Sequence, residues 1–243
     1  MEISNWQFGD FSIKKTVANE VSIVVISNEK TEAEVYQGQF GEFTITEDDR
    51  KEVKIYRAGL FVAALSFAIG SGLILRLGAT PGVLKALTPL YAVFWLALGV
   101  SLVTIHIYLR PLHRLLQIFW GIGGIAALGF ALSNSAPLAQ FTYTHPTAIF
   151  GIGFTFAALT GIYFKEAFCF NRLETKLLTP LVPTLLLGHL LGIFPVIWEQ
   201  IFLGVWATLF IALAVGKLMQ PIPPDIGDKS VFEYLKNQRT AQS

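Results

Sequence analysis

The sequence predicts an all-α membrane protein of six transmembrane helices, preceded by a small N-terminal cytoplasmic segment that contains short strands. Three observations predict it. Six apolar stretches are separated by short polar breaks, and each approaches the ~20 residues a helix needs to cross the hydrocarbon core. Hydrophobic residues make up 53% of the 243, more than the ordinary share of a soluble domain. Nearly all the basic residues fall on the same alternate loops, the charge asymmetry that orients membrane proteins.

Taken in order, residues 1–45 form the N-terminal segment. Val21–Ile26 reads as a strand, Ser27–Glu34 as a solvated linker, and the rest as short strands and a turn. Gln7-Phe8-Gly9-Asp10-Phe11-Ser12-Ile13 returns as Gln39-Phe40-Gly41-Glu42-Phe43-Thr44-Ile45. Two copies are too few for a solenoid, so this echo reads either as a duplicated strand-turn piece or as chance. The segment also lacks the apolar run of a cleavable signal, and the first span is expected to serve as the insertion signal.

Residues 46–219 form the transmembrane domain. Thr46 followed by Glu47, Asp48 and Asp49 is a helix start, a hydroxyl cap followed by acids at the positive end of the helix. This helix is expected to run through Arg57 into the first span. The predicted spans are Ala58–Leu75, Ala86–Leu109, Leu115–Leu132, Thr147–Phe164, Leu177–Phe194 and Ile201–Gly216. Between them stand Ala79-Thr80-Pro81-Gly82, Arg110-Pro111, Ser133–Pro137, the charged run Lys165–Lys176, and Pro195 with Glu199. Glu199 reads as a helix cap. Residues 220–243 are a tail in which Gln220-Pro221-Ile222-Pro223-Pro224 must leave the helix as an extended strap. Asp228 is placed to cap a short amphipathic helix bearing Val231, Phe232 and Leu235.

With six spans, Arg50, Lys51, Lys54, Arg57, Arg110, Arg114, Lys165, Arg172, Lys176 and Lys217 share one side, and the other side has Arg76 and Lys85. The positive-inside rule then places both termini in the cytoplasm. The near-neutral net charge of +1 suggests no nucleic-acid partner.

Polar chemistry concentrates on that cytoplasmic side. The run Lys165–Lys176 carries Lys165, Glu166, Cys169, Asn171, Arg172 and Glu174 among Phe168 and Phe170. It reads as an interfacial turn with snorkelling lysines, or as a docking surface shared with Arg57, Arg110, His113 and Arg114, with Arg172 and Glu174 as fixed hydrogen-bonding groups. Cys169, the single cysteine, excludes an intrachain disulfide and is expected to be a buried thiol. His106 and His189 are the candidate intramembrane polar groups. At about 1.5 Å per residue their depths differ by over ~10 Å, which argues against a shared haem.

No catalytic residue, metal site or cofactor is indicated. Gly70-Ser71-Gly72 lacks the first glycine of the serine-protease pattern of intramembrane enzymes, and it reads with Gly121–Gly124 and Gly151–Gly153 as small residues for close helix packing. Metal-dependent proteolysis lacks its His-Glu-x-x-His.

Two stretches carry a family resemblance: Val35–Arg50 with Val53, Tyr56 and Arg57, and the loop Lys165–Glu174. On them the chain resembles the uncharacterised integral membrane proteins of cyanobacteria classed as domain of unknown function 2301, over approximately Val35 to Met219. The resemblance implies a thylakoid or plasma membrane and brings no activity with it. The expected function is therefore non-enzymatic: assembly, stabilisation or scaffolding of a larger membrane complex, with the bilayer and other membrane subunits, or a second copy of the chain, as partners. The alternative is a small-solute or ion permease using His189 as its deep titratable group.

Overall fold

A computed structural model describes the backbone of residues 4–8, 11–18 and 21–28, and residues 35–107, 109–231, 234 and 237 in full. It divides into two compact units, one of residues 1–46 with 228–243 and one of Glu47–Gly227. The tail from Asp228 thus groups with the N-terminal segment.

In the first unit, β1 (Ser4–Phe8), β2 (Phe11–Ala18) and β3 (Val21–Asn28) form an antiparallel meander, and β4 (Val35–Gly38) pairs with β5 (Gly41–Thr44) as a separate hairpin. The sequence echo does not fold equivalently. Phe8 pairs with Phe11 in the first copy, whereas the second turns two residues earlier, pairing Gly38 with Gly41 and leaving Phe40 in the turn. That turn is held by Asp228, which accepts hydrogen bonds from the Gln39 and Ser230 amides at 2.6 and 2.9 Å. These bonds favour the ionised carboxylate and hold the Asp228 carboxyl below its ordinary range. Asp228 therefore starts the helical turn at Ser230 and Val231 as expected, while Phe232 and Leu235 lie outside the described residues.

The second unit is helical: α1 (Glu47–Leu77), α2 (Pro81–Thr104), α3 (Arg110–Ser133), α4 (Leu138–Thr144), a 3-10 turn (Pro146–Ala148), α5 (Ile149–Phe170), α6 (Leu173–Leu190), α7 (Val196–Met219) and α8 (Pro223–Ile226). Five are long and apolar enough to cross a membrane: α1, α2, α3, α5 with its 3-10 turn, and α7. The predicted fifth span is present as α6 but is shifted four residues earlier, carries Pro180 and Pro183, and has Glu174 in its first turn. It spans 18 residues and is not among those five, so the count of six does not follow from length and composition.

Local chemistry explains the boundaries. Acids in the first turn start α1, and it continues unbroken for 31 residues, about 46 Å at about 1.5 Å per residue. Pro111 occupies the first turn of α3, where its missing N–H costs nothing. α2 ends earlier than expected, as Ile105 is extended, so His106 sits in a connector rather than in a span. The charged run Lys165–Lys176 is not a loop. α5 continues to Phe170, Asn171 takes the left-handed conformation (φ 54°) and donates to Ala167 O at 3.1 Å, and α6 starts two residues later. α6 closes on a Schellman turn at Gly192 (φ 64°), with Ile193 N–H on Gly188 O and Gly192 N–H on His189 O.

Outward faces are apolar: Val103, Ile125, Leu132 and Phe150 are all more than two-thirds exposed, as lipid-facing residues are. The interior packs Leu60, Ala63 and Ala64 of α1 with Leu98 of α2, Leu159 and Ile162 of α5, Leu178 of α6 and Phe210 of α7. Small residues permit the closest crossings, though not at every predicted glycine. A Cβ on Gly123 would lie 2.5 Å from the Thr155 backbone nitrogen, whereas one on Gly121 would meet nothing within 4 Å. α2 and α3 are joined by a reciprocal tryptophan pair. Trp95 donates to Trp120 O at 3.0 Å, Trp120 donates to Trp95 O at 2.8 Å, and the rings stack at 4.3 Å.

Gly123→Ala should consequently lower thermal stability in detergent by about 1–3 kcal/mol, the usual cost of overpacking. Gly121→Ala should stay within about 0.5 kcal/mol of wild type. Equal effects of the two substitutions would refute the close α3–α5 crossing.

Candidate functional site

Two polar constellations stand at opposite ends of the helical unit. The first gathers buried charge. Glu166 of α5 is fully buried, and its carboxylate is 2.8 Å from Lys165 Nζ and 2.9 Å from Lys217 Nζ of α7. It also accepts the Tyr56 hydroxyl at 3.0 Å. Lys217 pairs in addition with Asp225 of α8, and its ammonium sits 4.0 Å from the Phe170 ring centre. Asp225 in turn accepts Arg57 Nε of α1 at 2.7 Å. The rest of the Arg57 guanidinium donates to the carbonyls of Gln220 and Pro221, the expected extended strap. Three cations and two carboxylates thus form one desolvated network joining α1, α5, α7 and α8.

Arg57, Lys165 and Glu166 are therefore interior groups, and their place in a docking surface is corrected. Lys165 and Glu166 belong to a charged run that reads as a loop, yet α5 continues to Phe170 and turns Glu166 to Tyr56 of α1 and Lys217 of α7, while Arg57 on α1 turns to Asp225 of α8. Of the other residues assigned to that surface, Arg110, Arg114 and Asn171 are exposed. Arg172 pairs with Glu174 and lies against Gly216 of α7. His113 contacts Leu102 O and Gln117. Cys169 is exposed, not buried. His106 is 3.3 Å from Glu52 at the start of α1.

The second constellation lies where α6 ends and α7 begins. His189 occupies the last turn of α6, so it is not deep within a span. Its Nδ1 is 2.7 Å from Glu199 Oε1, and Tyr143 of α4 donates to the other oxygen, Oε2, at 3.2 Å. The Tyr143 ring stacks on the imidazole at 4.8 Å. Glu199 is thus no mere helix cap. His189 Nε2 is buried and has no hydrogen-bond partner among the described residues.

These three residues line one end of a cavity of about 340 Å³. Its walls come from α1, α2, α4, α5, α6 and α7, and are apolar and aromatic apart from Ser66, Ser71, Thr142 and the constellation itself. A groove between α5 and α6 shares Ile149, Gly153 and Leu186 with it. The cavity has the profile of a small-molecule site: concave, apolar, with few convergent polar groups.

A family model described as an uncharacterized integral membrane protein, DUF2301, matches residues 100–234. The chain belongs to this family. No curated protein and no solved structure matches it. The DUF2301 span includes α3 to α8, and with them Glu166, His189, Glu199, Lys217 and Asp225, while Tyr56 and Arg57 lie before it. The stretch Lys165–Glu174 falls inside the span and Val35–Arg50 outside, so the match begins later and ends further on than the resemblance suggested.

Sequence reasoning missed Tyr143, Glu199, Lys217 and Asp225 as site residues. A signal existed for one pair: His189 and Glu199 flank Gly192 and Pro195, the punctuation of a helix-turn-helix whose ends face each other.

The charge count of the buried network predicts an asymmetry. Glu166→Leu leaves three cations with one carboxylate and should cost roughly 3–5 kcal/mol. Lys217→Met leaves two of each and should cost clearly less. Thermal unfolding of the two variants in the same detergent checks the order, and a reversed order would contradict the network.

Proposed function

We propose that this protein is a six-span membrane receptor for a lipid-soluble small molecule, held in the α1–α7 cavity, with both termini and the basic end cytoplasmic. The observation that carries the reading is the apolar cavity ending at Tyr143, His189 and Glu199. The groove between α5 and α6 gives a membrane-facing route for such a molecule, since Phe150 and Leu187 on it are exposed.

Six crossings are supported by packing. Glu166 near the end of α5 meets Lys217 near the end of α7, so these helices run parallel, and α6 between them must return through the same thickness. As a permease the protein would need a path at both ends of the cavity; away from Tyr143, His189 and Glu199 its walls run into the buried apolar core at Phe94, Phe156 and Leu185, which favours a receptor.

A second reading, a stabilising or scaffolding factor for a larger membrane complex, is favoured by the exposed Arg110 and Arg114 and by Phe168, 84% exposed at the same end. On the family resemblance, the setting proposed is the plasma or thylakoid membrane of a photosynthetic prokaryote.

Orientation is testable with the native cysteine. A membrane-impermeant maleimide should label Cys169 in inverted vesicles and not in intact cells. Leu191→Cys on a Cys169→Ser background should show the reverse, since Leu191 is exposed at the other end of α6. Labelling of both from one side would eliminate the sixth crossing. For the activity itself, the tagged protein should be extracted gently and its co-purifying species identified by native mass spectrometry. A stoichiometric lipid-soluble small molecule is expected. Protein subunits without any small molecule would replace the receptor with the scaffold.

A further inference from the structure

We infer that the occupant is a neutral, ring-bearing lipophile that donates a hydroxyl hydrogen bond to His189 Nε2, a phenol or quinol in chemical class. The inference rests on the receptor reading above and adds what the site recognises.

Glu199 fixes the imidazole. Its carboxylate oxygen lies 2.7 Å from Nδ1, so in the neutral imidazole Nδ1 carries the hydrogen and Nε2 presents a lone pair. The Tyr143 hydroxyl is spent on the other Glu199 oxygen, and among the described residues no side chain reaches the buried Nε2. A buried acceptor without a donor is costly and rare in a finished structure; a ligand hydroxyl supplies what is missing.

Charge excludes the commonest alternative. Among the described residues no lysine or arginine lines the cavity, and Glu199 stands at its polar end, so a phosphate or carboxylate head group would meet repulsion with no counter-charge. The body of the ligand is selected by the walls. Phe67, Tyr91, Phe94 and Phe156 face the same space and suit offset or edge-to-face contact with a ring.

The protein reconstituted in lipid nanodiscs is probed with 4-decylphenol and with decylbenzene, the same body without the oxygen. Saturable binding of each is measured by equilibrium partition against protein-free nanodiscs. The wild type should hold the phenol about tenfold more tightly, the effect of one buried hydrogen bond. His189→Leu should keep decylbenzene binding and lose the preference. Equal affinity of the two probes in the wild type, as when a water molecule serves Nε2, would overturn the hydroxyl assignment while leaving the receptor reading in place. The same holds for a preference that survives His189→Leu. If neither probe binds saturably, the receptor reading itself falls and this inference with it. If the variant does not fold, the wild-type comparison still tests the hydroxyl preference by itself.

Discussion

The meeting of Glu166 with Lys217 sets more of this architecture than any other contact. Two charges placed among lipid-facing helices are tolerable only when each finds a partner and the remaining hydrogen-bonding capacity is filled. Here Lys165, Tyr56, Asp225 and, through Asp225, Arg57 complete that requirement. The geometry needed to satisfy them brings the ends of α5 and α7 together, seats α8 beneath them, and pins the Gln220–Pro221 strap to α1. Once those ends are fixed, α6 has to run back between its neighbours.

The network also divides the protein chemically. At its end, the charges are paired with one another, although Gln220 Oε1 on the strap is buried without a hydrogen-bond partner. At the opposite end the polar groups are fewer, and the set is incomplete by one hydrogen bond, at His189 Nε2. Paired charges hold one end of the bundle, and the unpartnered nitrogen at the other end borders a cavity, which Gln220 Oε1 does not.

The membrane class and the positions of the apolar helices were legible in the sequence because they depend on runs of residues, which need no tertiary knowledge. Helix ends were less legible. Lys165 and Glu166 look like loop residues until their partners on α1 and α7 are known, and Lys217 and Asp225 lie some fifty residues further on. Gly123 and Gly121 are indistinguishable by composition, and only the neighbouring helix separates them. The echo of Gln7–Ile13 in Gln39–Ile45 shows the converse, similar residues folded in different registers because the second copy has its turn placed over Gln39 and Phe40, where Asp228 and Ser230 hold it. His189 was found as a polar group in an apolar run, but its partner was passed over, since an acid in a first helical turn already has an ordinary explanation.

The size of the cavity bears on its purpose. A sealed and empty void of about 340 Å³ would cost on the order of 8 kcal/mol at about 24 cal/mol per Å³, comparable with the whole net stability of a domain. Glycines stand on its walls at Gly70 and Gly153, where a Cβ would press on Leu87 at 3.2 Å and on Ile149 at 3.0 Å. The space is kept open by α4, seven residues that wedge Leu138, Thr142 and Tyr143 against it. Acyl chains alone would relieve the cost of the apolar part, yet they offer nothing to an imidazole nitrogen. An occupant that is apolar along its body and carries one hydroxyl at its end relieves both.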